Sequence, residues 1–278
     1  MSSPRAAVIQ FPGVNCEYEA ARALGEVGLE AVVVRWNEGK DLLGRYAGFV
    51  LPGGFSYQDR VRGGVIASRD PVVDRLRQAA DGGAPILGIC NGAQILVEAA
   101  LVPGWAGDRV ETALAPNRIP GRTGYHCAWV EVRHTGALSF LQRTLEEGEV
   151  LPLPVAHGEG RFHSEERGFF AELLEAGQIP LQYADRSGAA SESFPYCPNG
   201  SLLGAAALCN REGNVVAMMP HPERAAWLHQ VPDQIPSRWA SEKLRMSKGD
   251  PSGAGLFAAG PGRKILAAFA AAVKERCS

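Results

Sequence analysis

The chain has 278 residues, 46% hydrophobic and 21% charged, with a formal net charge of −2. That length allows one large or two small domains with a substantial core. The charge balance lacks the basic excess that marks nucleic-acid or anionic-membrane binding, and no apolar run approaches the roughly 18 residues of a membrane span.

The N-terminal "MSSPRAAVIQFPG" lacks the longer apolar region and cleavage site of a signal peptide. Six cysteines, at 16, 90, 127, 197, 209 and 277, are far apart and form no CxxC pair. This spacing predicts thiols in a reducing cytosol, most of them buried, rather than disulfides or structural zinc.

In chain order, "RAAVIQF" (5–11) predicts a strand and "CEYEAARALGEVG" (16–28) a helix with Asn15 as N-cap. Strands follow at 29–36 and 46–54, the second ending in a glycine turn. "DPVVDRLRQAADGG" (70–83) is a helix with Asp70 as cap, Pro71 in the first turn and two glycines as its stop. "APILGI" (84–89) is the next strand, with a helix over 93–101. Strands alternating with helices predict a parallel sheet covered on both faces, with ligands bound beyond the carboxyl ends of its strands. Segments 125–133, 150–156, 179–185 and 201–208 predict strands without intervening helices, hence antiparallel additions. "NVVAMMPHPER" (214–224) is a further strand ending in a turn. Residues 225–263, with four prolines, predict an irregular insertion, and "RKILAAFAAAVKER" (263–276) a closing helix.

Two strand ends carry chemistry. In "GICNGAQ" (88–94), Cys90 lies between glycines where a strand turns sharply into a helix. Such a corner lifts one side chain above the sheet edge. The helix N-terminus favours a thiolate, and the Asn91 N–H points where an oxyanion would form. A nucleophilic cysteine needs a base and an orienting group. Of six histidines, His221 stands at a strand end between two prolines, with Glu223 two residues on to hold its tautomer.

"LPGGFSYQD", "GICNGAQ" and "MMPHPER" together resemble the class I glutamine amidotransferases. With "HGEGRF" (157–162) and "PNGS" (198–201), they resemble more narrowly the glutaminase subunit of phosphoribosylformylglycinamidine synthase. The likeness runs from about residue 5 to 224 and resumes in the last helix. It implies a flavodoxin-like α/β fold with a mostly parallel sheet, in one domain spanning 1–278.

The implied activity is hydrolysis of glutamine through a Cys90 thioester, with His221 and Glu223 completing the triad and Gly53, Gly54 and Asn91 forming the oxyanion hole. The ammonia released must reach its acceptor before protonation, which favours a sealed channel to a partner. The implied partner is the ATP-dependent large synthase subunit of purine biosynthesis, with a small accessory subunit, in the cytoplasm. No P-loop is present, so ATP and Mg are expected on that partner and neither cofactor nor metal in this chain.

Several readings stay open. Gln94 either helps hold substrate or is an ordinary first-turn polar residue. "HGEGRF" reads as an exposed loop, either docking on the synthase or bearing plain surface charge. Residues 225–263 either cover the active site or extend the partner interface, with Trp227, Leu228, Ile235, Trp239 and Leu244 as a satellite cluster or partner-facing patch. The alternative activity is another class I amidotransferase or a γ-glutamyl hydrolase.

Overall fold

The computed structural model describes residues 4–38, 42–249 and 252–277. A nine-stranded sheet runs in the order β2-β1-β3-β4-β11-β10-β9-β6-β7. Its parallel half comprises β1 (Arg5–Gln10), β2 (Glu30–Arg35), β3 (Gly48–Leu51), β4 (Ile86–Ile89) and β11 (Val215–Met218). Every residue of β3, β4 and β11 is buried, the unbroken apolar pattern of strands covered on both faces. The other half is antiparallel: β6 (His126–His134), β7 (Val150–His157), β9 (Leu181–Ala184) and β10 (Ala205–Cys209). A separate ribbon pairs β5 (Ala113–Pro116) with β8 (Glu159–His163).

Right-handed crossovers set the faces of the parallel half. Helix α1 (Glu17–Gly25) lies on one face, joined there by the closing helix α7 (Gly262–Arg276). The opposite face carries α2 (Leu42–Arg45), α3 (Pro71–Asp81) and α4 (Asn91–Glu98). One core of buried residues runs through both halves of the sheet.

The structure corrects several local expectations. Helix α1 starts after Cys16, not Asn15, and no side chain caps it; the Cys16 thiol instead donates to Asn15 Oδ1 at 3.2 Å. Asp70 stands at the N-cap of α3 without capping it, because its carboxylate accepts the Tyr57 hydroxyl at 2.7 Å. Helix α4 begins at Asn91, two residues before the expected start.

"HGEGRF" is no exposed loop. It runs from the end of β7 into β8, with His157 2%, Arg161 7% and Phe162 0% exposed. Three short elements escaped the sequence reading: helix α2, strand β5 and helix α5 (Phe169–Glu175).

The 225–263 segment is not irregular throughout. It contains the twelve-residue helix α6 (Arg238–Gly249), built from helix-favouring Ala, Glu, Lys, Leu, Arg and Met between the prolines. Trp227, Leu228 and Trp239 are buried in the main core, whereas Leu244 is 52% exposed. The segment packs beside the antiparallel end of the sheet. A cavity of about 610 Å³ lies there between Trp129, Val150 and Trp239 and holds none of the expected catalytic residues.

Candidate active site

The carboxyl ends of β3, β4, β7 and β11 converge on one edge. Parallel pairing of β4 with β11 places Ile89 opposite Met218, and the Cys90 N–H continues the ladder to the Met218 carbonyl at 2.8 Å. The two strands therefore deliver Cys90 and the His221 turn side by side. Cys90 has φ +51° and ψ −105°, a strained conformation for a non-glycine residue and one that clusters at functional sites. The close approach of α4 to β3 permits this corner. A Cβ on Gly92 would stand 1.9 Å from the Leu51 carbonyl oxygen, so only glycine fits. The Cys90 thiol is 6% exposed and rests 3.5 Å from the Ala156 carbonyl.

His221 is fixed from several directions. Its own N–H donates to the Pro154 carbonyl at 2.8 Å. Its Nδ1 contacts Glu223 Oε1 at 2.5 Å, with the two side chains 2% and 0% exposed. Gly53 backs the ring so closely that a Cβ would lie 2.6 Å from His221 Cε1. Nε2 is left without a hydrogen-bond partner among the described residues. Burial opposes a charge on His221. The Glu223 carboxylate and the neighbouring Cys90 and Cys16 thiols outweigh it and hold the pKa well above the usual imidazole value.

Cys16 was missed as a neighbour of His221 and Glu223. Its buried thiol accepts from Arg224 Nη2 at 3.0 Å, and Arg224 is ion-paired with Glu19 at 2.9 Å. Burial raises the Cys16 pKa despite the contact with His221. In the sequence nothing tied this residue to the site.

The oxyanion candidates sit on the same edge. An isolated bridge pairs Val14 with Gly54 through the Asn15 N–H to Gly53 carbonyl contact (3.4 Å) and the Phe55 N–H to Gly13 carbonyl contact (3.0 Å). The Gly53 and Gly54 N–H groups stay outside that bridge. The Asn91 N–H opens α4, where helix geometry supplies no acceptor. The Asn91 side chain fastens the loop above, accepting the Ser56 N–H at 3.0 Å and donating to Asp59 at 3.2 Å and to Gln94 Oε1 at 2.8 Å.

A cavity of about 180 Å³ opens over Cys90, lined by Gly54, Asp59, Gln94, His157 and Glu159 among others. The amide of Gln94 is already engaged, since its Nε2 donates to the Glu159 carbonyl at 2.7 Å while its Oε1 takes the Asn91 bond. Gln94 thus ties the elbow helix to the β7–β8 turn and forms part of the cavity wall. No described residue of 225–263 lines this cavity.

The site contains a thiol, an imidazole paired with a buried carboxylate, and unused backbone donors beside the thiol. That set is suited to acyl transfer from an amide through a thioester.

The family model for the CobB/CobQ-like glutamine amidotransferase domain matches residues 3–250. The chain is 43% identical over 281 residues to the phosphoribosylformylglycinamidine synthase subunit PurQ of Methanothrix thermoacetophila, covering 99% of this chain and 100% of that one. It is 41% identical over 220 residues to the same-named subunit of Pyrococcus furiosus, covering 79% of this chain and 88% of that one. A structure of PurLQS from Thermotoga maritima superposes with a TM-score of 0.69 at 28% identity, over 96% of this chain and 98% of that one. The chain belongs to the glutamine amidotransferases, and within them to the PurQ glutaminase subunits of phosphoribosylformylglycinamidine synthase.

Proposed function

We propose that Cys90, His221 and Glu223 carry out the glutaminase half-reaction and pass ammonia to a separate synthase subunit. The Cys90 thiol passes its proton to His221, and its sulfur attacks the side-chain carboxamide of glutamine. The Sγ–C bond forms as the carbonyl becomes an oxyanion, held by the N–H groups of Asn91 and the Gly53–Gly54 turn. His221 protonates the departing nitrogen, and the C–N bond breaks to release ammonia. Water, deprotonated by His221, then opens the thioester to glutamate and restores the thiol. Glu223 keeps the imidazole oriented and stabilises its cationic form. Gln94 holds the wall against which the substrate lies.

The observation that carries this reading is the β4–β11 pairing, which brings Cys90 beside a histidine already fixed by a buried carboxylate. Ammonia is the nucleophile only while unprotonated, so it must travel directly to its acceptor. The acceptor reaction, with its ATP and Mg, belongs to the large synthase subunit, assisted by a small accessory subunit, in the cytoplasm. The name of the Thermotoga maritima PurLQS complex fits that assembly. Among the described residues, no helix is long and apolar enough to cross a membrane.

Labelling with 6-diazo-5-oxo-norleucine, an electrophilic glutamine analogue, tests the reading. One adduct on the Cys90 peptide, blocked by glutamine, is the expected result. Adduct on Cys16 or another cysteine, with Cys90 unmodified, would sink it.

A further inference from the structure

Glutamine hydrolysis uses His221 and Glu223 and leaves their neighbour Cys16 without a part. Among the described residues, these three form the only cluster of Cys, His, Asp or Glu side chains close enough to share a metal ion, with one ligand atom from each and all within 4.8 Å of one another. The cluster is sealed from solvent, with Cys16 1%, His221 2% and Glu223 0% exposed. Two further observations point to an ion. Glu223 Oε2 is buried and has no hydrogen-bond partner among the described residues. Gly53 turns a bare backbone face to the trio. A Cβ there would stand 3.2 Å from Cys16 Sγ and 3.4 Å from His221 Nδ1, so the sulfur and the nitrogen border a space that any other residue would fill.

The donor set and its charge select the ion. Thiolate and imidazole ligands favour zinc over magnesium, which seeks oxygen and keeps its water. A Cys16 thiolate and the Glu223 carboxylate together neutralise a dication. The adjacent Arg224 does not oppose it, because Glu19 already neutralises that guanidinium at 2.9 Å. Arg224 Nη2 donates to the Cys16 sulfur at 3.0 Å, the kind of outer hydrogen bond that orients a metal-bound ligand. The Cys16 S–H, which donates to Asn15 Oδ1 at 3.2 Å, loses its proton to solvent when the metal binds.

We propose that Cys16 Sγ, His221 Nδ1 and the Glu223 carboxylate form an inhibitory zinc site. The ion replaces the proton shared by Nδ1 and Glu223 Oε1, which lie 2.5 Å apart. Tetrahedral zinc ligands stand about 3.3 Å apart, so the carboxylate retreats by roughly 0.8 Å or presents its free Oε2. An imidazole metallated on one nitrogen carries its proton on the other. Nε2 is then an N–H group that cannot take the Cys90 proton, and the nucleophile is not activated. Zinc is thus an inhibitor and no cofactor of the reaction. The inhibition rests on the glutaminase reading above; the metal binding does not.

Two measurements test the proposal. The first follows glutamate release from glutamine by the chain assembled with its synthase subunit, with zinc added and with magnesium as the control. Zinc should stop release in the wild type, magnesium should not, and a chelator should restore it. Loss of an outer partner alone weakens metal binding about 10- to 100-fold, so Cys16→Ala, measured against its own metal-free rate, should need at least about 100-fold more zinc. Equal sensitivity in Cys16→Ala overturns the proposal and places the metal on Cys90 and His221. The second measurement needs no activity. Cobalt added to the full chain carrying Cys90→Ala should give the near-ultraviolet thiolate-to-cobalt band, and adding Cys16→Ala to that chain should abolish it. A band that is missing without Cys90, or that survives without Cys16, overturns the site. A Cys16-dependent band in a protein whose metal-free wild type releases no glutamate would keep the zinc site and overturn the glutaminase reading, which separates the two failures.

Discussion

Replacing Glu223 by glutamine preserves the shape of the turn and removes one charge. The contact it alters is 2.5 Å long and sealed from solvent, with His221 2% and Glu223 0% exposed. A hydrogen bond to a charged partner contributes about 1.5–3 kcal/mol, and the absence of screening water places this pair near the upper end. At about 1.4 kcal/mol per factor of ten, the loss corresponds to a roughly 100-fold fall in kcat. A shift in pH dependence should accompany it. Burial alone disfavours the imidazolium, and Glu223 is the foremost group opposing burial. In the wild type, His221 therefore stays protonated through neutral pH, and proton donation to the departing amide nitrogen is lost only as pH rises through the raised pKa. Without the carboxylate, that alkaline limb should move to lower pH. Glutamate release by the reconstituted complex, followed from mildly acidic to alkaline pH, reads both effects. An unchanged kcat with an unmoved alkaline limb would refute the role given to Glu223.

Gly92→Ala puts a methyl against the Leu51 carbonyl; we expect a loss of about 2–3 kcal/mol, seen in calorimetry as a melting point lower by roughly 5–10 °C, and an unchanged melting point would contradict the close approach. Asp59→Asn should stabilise the fold above about pH 6. The folded carboxyl is pushed up from an ordinary 3.8 to about 6, so its ionisation costs stability that is absent below the ordinary value and complete above the raised one. The gain in melting temperature should therefore vanish as the pH falls below about 4. Trp239→Ala should cost about 3 kcal/mol without altering the rate of analogue labelling at Cys90, because the described residues of 225–263 contribute nothing to that cavity; slowed labelling would tie the segment to the active site.

What the sequence could reveal followed the range of the interactions. Cys90 and its glycines are local features, and the strain at φ +51° is set by neighbours within the motif and by Leu51. His221 and Glu223 are two residues apart, so their pairing was equally legible. The parallel order of strands followed from alternation of strands and helices. Asp59, His157 and Glu159 meet only through the tertiary fold, from two loops about a hundred residues apart, and no spacing rule joins them. "HGEGRF" looked like surface because its charged and polar residues are what exposed loops contain. Its burial depends on remote acceptors, Asn117 for His157 and the Pro116 carbonyl for Arg161 at 3.1 Å. Helix α6 was hidden for the opposite reason: the prolines and glycines around it outweighed twelve residues of good helix formers.

The most direct test of the account uses the chain with the large synthase subunit, any accessory subunit, formylglycinamide ribonucleotide, Mg-ATP and glutamine. Glutamate and amidine are followed together in wild type and Cys90→Ala. The account predicts both products from wild type, neither from the variant, and amidine alone from the variant when ammonium salt is supplied. An assembled complex that makes amidine from ammonium, while wild type releases no glutamate from glutamine, would contradict it.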